Sequence, residues 1–366
     1  MMLENDLVSN DFKQYGQMIK GEERRVISLK DIADICGVSI STVSKALNNK
    51  ADISKAKKEE IQKVAKELNY IPNYMASTLR SKRTRNIGVL LSENTRTNLM
   101  HEHFARILNS FKDTVEERGY IVTFLNSSHY SKRLSYIEQC RYMNFDGVFI
   151  LCADYEQQEV DDLLSSDFPI VVIDHEVKRH INVASNQYGD MRRLMQFIYD
   201  RGHRRIAYIH GENEEVTKLR ILAYQSFMKE HQLSVPKEYT YSCPYRDYEK
   251  SGSLTKAVLA LSKPPTCIIY PDDLTAVGGM NIMQELGMRI PEDMSLAGYD
   301  GLNIVNIVRP RLTTIRQDTV SMGIQAGNRL INKIEFPGEE TSAATVIVDG
   351  MVEPGETVTG LVRRKF

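Results

Sequence analysis

Apolar residues follow two different patterns along the 366-residue chain. Within the first 70 residues they recur every three or four positions, which is the spacing of one helix face. From residue 87 onward they form short continuous runs that alternate with amphipathic stretches, as expected for buried parallel strands covered by helices. The runs are Ile87–Leu91, Ile121–Leu125, Gly147–Leu151, Ile170–Ile173, Ile206–Ile209, Cys267–Tyr270, Ser295–Tyr299 and Thr345–Val348. We therefore predict a small all-α head and an α/β body with two doubly wound parallel-sheet subdomains.

The helical part of the sequence predicts three short helices. Ser28, Ser39 and Ser54 each precede an apolar stripe, at the position where a serine side chain commonly caps a helix. Gly37 ends the first helix and supplies the turn to the second, which runs from Ile40 to Leu47. The stripes are Leu29, Ile32, Ala33 and Cys36; Val43, Ala46 and Leu47; and Ile61, Val64, Ala65 and Leu68. A glycine turn between the first two of three helices is typical of a helix-turn-helix.

The formal net charge of −1 conceals a basic head on an acidic body. Residues 28–85 contain twelve Lys or Arg and six Asp or Glu, so this segment carries +6 and the remainder carries −7. Charge alone is also compatible with a chance cluster of solvated lysines. Together with the three helices it favours a module that binds double-stranded DNA.

The second helix is expected to enter the major groove. If Val43 faces the core, steps of about 100° place Ser41 and Lys45 on the exposed face, and Ile40 lies at the helix tip. Lys45 can donate to guanine, Ser41 can read several base edges, and Ile40 can contact a thymine methyl group. Two further hydroxyls are expected to bind phosphate, those of Thr42 and Ser44.

Several segments of the head resemble the DNA-binding head-piece of the lactose-repressor (LacI/GalR) family. They are Leu29–Ala33, Gly37–Ser39, Thr42–Asn48, Leu68–Asn73 and Ile87–Val89. In that family the segment after the third helix is a hinge helix, which folds in the minor groove and inserts a leucine between base pairs. The resemblance therefore implies DNA contacts by Asn73, Ala76 and Leu79. The family usually has arginine where this chain has Ser77, so one hinge contact is not carried over.

The body resembles the periplasmic-binding-protein-like sensor of the same repressors, most clearly in Gly202–Ile209, Ile290–Ser295 and Pro310–Ile315. This resemblance implies that the chain crosses between two lobes three times and binds a small molecule between them. It implies an effector site in which Arg220 and Asp273 face each other across the cleft. The full set of implied effector contacts is Asp174, Arg220, Tyr248 and Asp273. The alternatives are that Asp273 caps the helix Leu274–Leu286 and that Arg220 forms a surface ion pair.

A sugar or sugar derivative is the expected effector, because charged and bidentate donors opposite a carboxylate suit a polyhydroxylated ligand. The alternative is a purine or a protein co-regulator. The loops Ser92–Arg96 and Ser185–Gly189 depart from the family pattern, as does the segment His101–His103. His101 and His103 have the spacing of a metal-binding pair without a third ligand, and we expect them to be surface histidines.

Other classes of protein are disfavoured by what the sequence lacks. It shows no nucleophile elbow, P-loop, dinucleotide fingerprint or zinc-protease helix, so we expect no enzyme, no cofactor and no metal. Its five cysteines are far apart, which argues against a disulfide framework. Without a signal peptide or a run of about 20 apolar residues, a cytoplasmic protein without membrane contact is expected. A transcriptional regulator, and specifically a repressor, is the function that these observations favour.

The predicted domains are an accessory extension (1–27), a helix-turn-helix domain (28–73), a hinge and linker (74–86) and an effector-binding domain (87–366). Within the last, the N-subdomain is expected at about 87–184 and 316–338, and the C-subdomain at about 185–315 and 339–366. We expect a homodimer, because a two-fold operator needs two heads and a hinge must pair with its mate. Residues 361–366 directly follow the last strand-like run, so no tetramer-forming heptad helix is expected.

Overall fold

The structure, a computed structural model, describes residues 27–50, 52–70, 83–91, 101–125, 134–338 and 345–361. The chain divides into two compact units, Met1–Lys82 and Arg83–Phe366. The first contains the helical head, and the second contains two α/β lobes.

The elements are as follows. The described helices are α1 (Leu29–Cys36), α2 (Ile40–Leu47), α3 (Lys55–Glu67), α4 (Glu102–Glu117), α5 (Tyr136–Tyr142), α6 (Gln158–Leu164), α7 (Gln187–Asp200), α8 (Glu215–Glu230), α9 (Tyr248–Leu259), α10 (Asp273–Glu285), α11 (Ile304–Ile307) and α12 (Thr319–Glu335). The described strands are β1 (Asn86–Leu91), β2 (Ile121–Phe124), β3 (Gly147–Cys152), β4 (Ile170–Ile173), β5 (Ile181–Ser185), β6 (Ile206–His210), β7 (Thr240–Ser242), β8 (Cys267–Ile269), β9 (Ser295–Ala297), β10 (Thr314–Arg316), β11 (Val346–Val348) and β12 (Met351–Glu353).

The head is the predicted helix-turn-helix. Ser28, Ser39 and Ser54 each accept a hydrogen bond at the start of a helix from a backbone N–H three residues on. Gly37 ends α1 in the left-handed conformation, with a φ of 61° that favours glycine. The predicted stripes meet in one core formed by Ile32, Ala33, Cys36, Val43, Ala46, Ile61, Val64 and Ala65. The prediction of three helices around a shared core is confirmed.

The first lobe is built on a six-stranded parallel sheet with the order β11-β5-β4-β3-β1-β2. Its central strands β1, β3, β4 and β5 are buried because helices cover both faces. On one face α4 and α12 pack around Phe111, Phe149 and Leu330, and on the other α5 and α6 pack around Cys140 and Ile150.

The second lobe contains a four-stranded parallel sheet with the order β7-β6-β8-β9. Helices α7 and α8 contribute to the apolar core on one face, and α9, α10 and α11 contribute to the core on the other. A short antiparallel pair, β10 with β12, completes the lobe. The predicted α/β body with two parallel-sheet lobes is confirmed.

The chain crosses between the lobes after β5, after β10 and after β11. The expected assignment of all of 339–366 to the C-subdomain is wrong, because β11 pairs in parallel with β5 of the first lobe. The sequence reading missed this because an apolar run shows that a strand is buried but not which sheet it joins.

Candidate functional site

Helix α2 presents the residues predicted to read DNA bases. Val43 is fully buried, and the opposite face carries exposed Ser41 and Lys45, while Ile40 at the helix tip is 44% exposed. Three hydroxyls cluster at the helix start, since Ser39 Oγ lies 2.7 Å from Ser41 Oγ and 2.8 Å from Thr42 Oγ1. Polar hydroxyls at a helix N-terminus suit phosphate contacts.

Ser44 does not fit its predicted role. The residue is only 7% exposed, next to fully buried Val43. The expectation that it contacts phosphate is therefore wrong, because Ser44 lies on the buried face of α2 together with Val43 and Ala46.

Lys45 has a partner within the head. Its Nζ lies 2.5 Å from Asp52 Oδ2, and both side chains are about half exposed. The Lys45 ammonium holds the pKa of the Asp52 carboxyl below its usual value. The predicted hinge contacts Asn73, Ala76 and Leu79 lie outside the described residues.

In the second unit, Arg220 on α8 is buried in the second lobe. Its Nε donates to Gln187 Oε1 at 2.7 Å and its Nη1 donates to the Pro271 carbonyl at 2.9 Å. The guanidinium lies 3.6 Å from the ring centroid of Tyr299. The alternative of a surface ion pair is thus inconsistent with the structure, since Arg220 is fixed in a buried polar cluster.

Asp174 belongs to this cluster from the side of the first lobe. It follows β4 in a left-handed conformation, with a φ of 51°. Its Oδ1 accepts a hydrogen bond from the Ser185 N–H at 2.7 Å. Burial raises the pKa of the Asp174 carboxyl, against a lowering effect of Ser185 and Arg220. Asp174 of the first lobe thus lies close enough to Gln187 and Arg220 of the second for both to lower its pKa.

Asp273 occupies a different position from the one expected. Arg220 and Asp273 both belong to the second lobe, on α8 and α10, so the expectation that they face each other across the cleft is wrong. The cap of α10 is Asp272, and Asp273 is the first helical residue. Its Oδ2 accepts from the Leu302 N–H at 2.7 Å and its Oδ1 from Thr314 Oγ1 at 2.6 Å.

The Asp273 carboxyl is fully buried, and this burial raises its pKa well above the usual value. Its two hydrogen bonds join α10 to the loop after β9 and to β10. In this arrangement Asp273 supports the loop that contains Asp300, Gly301 and Leu302.

The aromatic residue beside Arg220 is not Tyr248. Tyr248 begins α9 and is 59% exposed. Tyr245, three positions earlier, places its hydroxyl 2.7 Å from Thr217 Oγ1, and burial raises the pKa of this tyrosine in the neighbourhood of Arg220. The effector contact of Tyr248 stays a prediction, and Tyr245 of the same segment lies nearer to Arg220.

Asp300 was missed in the sequence. It has a φ of 102°, a conformation that residues other than glycine rarely adopt and that is concentrated at functional sites. Its Oδ1 accepts a hydrogen bond from Gln317 Nε2 at 2.6 Å. No local pattern predicts this conformation, because it depends on the packing of the loop between the lobes.

The N-terminal turn of α4 meets this loop from the first lobe. Arg106 Nη1 donates to the Gly301 carbonyl at 2.9 Å and Nη2 donates to Asn303 Oδ1 at 2.9 Å. The Asn303 N–H in turn donates to the Glu102 carboxylate. We call these contacts of Glu102 and Arg106 with Gly301 and Asn303 the inter-lobe latch.

His101 and His103 lie beside the latch, and the expectation of surface histidines is wrong. His103 is only 6% exposed. Burial lowers the pKa of His103 to about 3 and that of His101 to about 4, so both rings are neutral at neutral pH. Within the described residues, neither Nδ1 atom has a hydrogen-bond partner.

Comparison with known proteins decides the family. Residues 28–73 match the bacterial regulatory proteins of the lacI family, and residues 195–358 match the periplasmic binding protein-like domain. This chain is a transcriptional regulator of the LacI family. The helix-turn-helix head and the two-lobed body are the two parts that define such a regulator.

The relatives and the solved structures agree with this assignment. The transcriptional repressor PurR of Histophilus somni (strain 129Pt) is 27% identical over 320 residues, which are 86% of this chain and 94% of the relative. The probable transcriptional repressor ExuR of Bacillus subtilis (strain 168) is 27% identical over 328 residues, 88% of this chain and 95% of the relative. A structure of the lac repressor dimer bound to operator and an anti-inducer shares the fold, with a TM-score of 0.77, 22% identity, and coverage of 92% and 100%.

The described part of the chain also bears on metal binding and on membrane contact. There, no three His, Cys, Asp or Glu residues are grouped so that they could hold a metal ion. No described helix is long and apolar enough to cross a membrane.

Proposed function

We propose that this LacI-family regulator is a repressor that binds a two-fold operator as a homodimer and is controlled by a small, sugar-like effector bound between its lobes. The observation that carries the effector proposal is the polar cluster in which Asp174 of the first lobe lies near Gln187 and Arg220 of the second, with Gln187 bonded to Arg220. A ligand that contacts these residues touches both lobes at once, and it can therefore favour one lobe orientation over another.

The DNA-binding part of the proposal is supported by the exposed face of α2. The relatives are named as repressors, and the lac repressor structure contains a dimer on its operator. A dimer of this chain should bind a pseudo-palindrome with half-sites about one helical turn, roughly 34 Å, apart. Ile40, Ser41 and Lys45 are the proposed base contacts, Thr42 is a proposed phosphate contact, and Asn73, Ala76 and Leu79 are proposed hinge contacts.

A purine is the second candidate effector. The PurR relatives favour it, since their similarity extends over most of this chain. The polar side chains around Arg220 favour the sugar, because hydroxyls can satisfy donors and acceptors that point in different directions.

The test is a titration of operator affinity against a compound found by thermal shift, since a ligand that binds the folded state raises the melting temperature. Arg220→Ala should abolish the response to the compound and leave operator binding in place. A response large enough to regulate operator binding corresponds to a coupling free energy of about 1–3 kcal/mol between effector binding and operator binding. Arg289→Ala, which removes an exposed ion pair with Asp293 in the same lobe, is the control and should respond like the unmodified protein. An Arg220→Ala variant with an unchanged midpoint and amplitude would place the effector elsewhere.

A further inference from the structure

Helix α2 has eight residues, from Ile40 to Leu47. The last carbonyl groups of an α-helix have no partners within the helix, so other groups must bind them. Two of these carbonyls in α2 are bound by the loop that follows. The Ser44 carbonyl accepts from the Asn48 side chain at 2.7 Å, and the Lys45 carbonyl accepts from the Lys50 N–H at 3.0 Å. These bonds close the end of α2 without connecting it to another helix.

The Ala46 carbonyl has a donor on α3. Gln62 Nε2 lies 3.2 Å from this carbonyl and 3.1 Å from Asn49 Oδ1. Both partners are acceptors, and a glutamine amide nitrogen carries two hydrogens, so each contact uses one of them. Asn49 lies in the left-handed region, with a φ of 57° that asparagine adopts more readily than most residues. Gln62 therefore joins α3 to the end of α2 and to the turn that follows.

Gln62 is also chemically distinct within α3. Every other polar residue of this helix is a lysine or a glutamate, and Gln62 lies half-buried among them. A glutamate at this position would present acceptors to two acceptors, and it could form neither bond. The amide therefore matches the two contacts that the structure shows.

These two bonds bear on the direction of α2. The helix packs on the head through Val43 and Ala46, which are fully buried. Apolar contacts are not directional, so packing alone leaves a two-turn helix free to tilt by small angles. Hydrogen bonds require a donor and an acceptor in line, so they fix an angle as well as a distance. Lys45 directly precedes Ala46, and a tilt at this carbonyl moves the Lys45 and Ser41 side chains on the exposed face.

We infer that Gln62 is a positioning residue for DNA recognition, whose two hydrogen bonds hold the end of α2 so that Ser41 and Lys45 meet the base edges. Gln62 itself does not have to touch DNA for this role. The inference rests on the proposed function, because it takes Ser41 and Lys45 as base contacts. It concerns the preference among sequences, since attraction to phosphate depends on charge and is shared by every sequence.

The experiment selects DNA with the full-length protein. The probe is a library of duplexes of about 30 base pairs with a randomised centre, long enough for two half-sites one helical turn apart. Sequencing of the bound fraction gives the base preference at each position. The wild type should select a two-fold motif, and Lys45→Ala identifies the positions read by α2 as those at which it loses preference. Gln62→Ala should weaken the preference at the same positions.

Fluorescence anisotropy then compares the duplex selected by the wild type with a duplex of the same base composition in scrambled order. The ratio of the two affinities should fall about 5- to 50-fold in Gln62→Ala, which is the cost of one poorly formed base contact. The affinity for the scrambled duplex and its salt dependence should be unchanged, because Gln62 is uncharged.

Three further variants separate positioning from stability. Gln62→Met keeps the length of the side chain and removes both donors, so it should behave like Gln62→Ala even if alanine loosens the packing. Gln62→Lys restores a donor and should recover base preference, while its added charge raises the affinity for all sequences alike. Lys57→Met is the matched control, because Lys57 Nζ donates at 3.0 Å to the Cys36 carbonyl at the end of α1. It should lower the melting temperature and the affinity for every sequence, and keep the wild-type motif.

An unchanged motif and affinity ratio in Gln62→Ala and Gln62→Met would overturn the inference and keep the proposed function. A loss of base preference in Lys57→Met as large as in Gln62→Met would do the same, since any weakened head would then read DNA poorly. A wild type that selects no two-fold motif would overturn both.

Discussion

The ion pair between Lys45 and Asp52 connects the exposed face of α2 with the segment that leads to α3. An ion pair between half-exposed side chains contributes little to folding stability. Its consequence lies in DNA binding, because the contact with Asp52 uses one of the three Lys45 donors and offsets the charge that attracts DNA. Asp52 therefore competes with DNA for the lysine predicted to read a base.

We predict that Asp52→Asn raises the affinity for DNA and makes its salt dependence steeper, with a slope change of about one phosphate contact. The freed lysine can bind any nearby phosphate, so affinity for random sequence should rise more than affinity for the operator. The measurement is fluorescence anisotropy with both DNAs over a range of salt concentrations. Asp34→Asn, an exposed residue of α1, makes the same charge change and should have a smaller effect. Equal effects of the two variants on DNA affinity would show that the net charge of the head, and not the release of Lys45, causes the change.

The buried imidazole of His103 predicts a pH dependence of stability. Its pKa is about 3 in the folded protein, against an ordinary value of 6.5 that applies when the chain unfolds. Between these values the unfolded state binds a proton that the folded state does not, so stability falls as pH falls below about 6.5. The loss from this one group is about 1.4 kcal/mol for each pH unit within that window.

Urea denaturation of the wild type and of His103→Phe at pH 7.5, 6.5, 5.5 and 4.5 measures this dependence. The variant should lose stability less steeply below pH 6.5, because it lacks the group that protonates on unfolding. At and above pH 7.5 the difference between the two proteins should be constant. Parallel curves down to pH 4.5 would contradict the burial of a neutral His103.

At the scale of elements, helices α4 and α12 pack closely through glycine. A Cβ atom on Gly323 would lie 2.4 Å from the Ile107 carbonyl oxygen and 2.7 Å from the Phe111 nitrogen, both in the backbone of α4. A Cβ on Gly327 would meet the Thr114 side chain at 3.0 Å, which can yield more easily. Of these two glycines, Gly323 packs against the backbone of α4, whereas Gly327 packs against side chains.

We predict that Gly323→Ala lowers the free energy of unfolding by about 1–3 kcal/mol, the usual cost of overpacking. This loss exceeds the gain of up to about 1 kcal/mol that alanine brings to a helix. Gly327→Ala should be nearly neutral, since the same gain offsets a smaller strain. Urea denaturation measures both variants, and a Gly323→Ala protein as stable as Gly327→Ala would show that α4 can shift.

The elements that the sequence predicted are those with long apolar runs. All eight predicted strands are present, because each reads as a continuous apolar run, including the partly exposed edge strands β2 and β11. The missed strands are β5, with polar Asn182 in its interior, and β7, β10 and β12, which have three residues each. Asn182 is tolerated because its side chain bonds the backbone of Val177. These hydrogen bonds form only in the folded protein. The pattern of polar and apolar residues in the sequence therefore could not predict that Asn182 lies in a buried strand.

The site was predictable only in part for a related reason. Asp174 and Arg220 follow from the resemblance, whereas Gln187, Asp300 and the two histidines acquire their surroundings from the meeting of the lobes. Gln187, for example, bonds Arg220, 33 positions away, and Gln317, 130 positions away, and Asp300 bonds Gln317 from another element. A sequence pattern reports neighbours along one element and cannot supply these contacts.

At the scale of the whole molecule, the inter-lobe latch connects effector binding to lobe orientation. Arg106 holds the loop 301–303, which also contains the Leu302 N–H that binds Asp273 and directly follows Asp300. The effector proposed to bind between the lobes would therefore stabilise the same approach of the lobes as the latch does. If the latch is weakened, ligand binding must supply the free energy of closure, and the apparent affinity falls.

We predict that Arg106→Ala weakens effector binding by about 5- to 50-fold, although Arg106 is not among the residues proposed to bind the ligand. This factor corresponds to the loss of about 1–2 kcal/mol from two charge-assisted hydrogen bonds. Small-angle X-ray scattering should show a larger radius of gyration for the ligand-free variant. At saturating effector the radius should return to the wild-type value. Arg118→Ala is the matched control, since Arg118 follows the same helix but pairs with Glu335 inside the first lobe. It should alter neither effector affinity nor the radius. If Arg106→Ala and Arg118→Ala had the same effects, the contacts of α4 with the loop 301–303 would not influence the orientation of the lobes. The chain crossings after β5, β10 and β11 would then set that orientation alone.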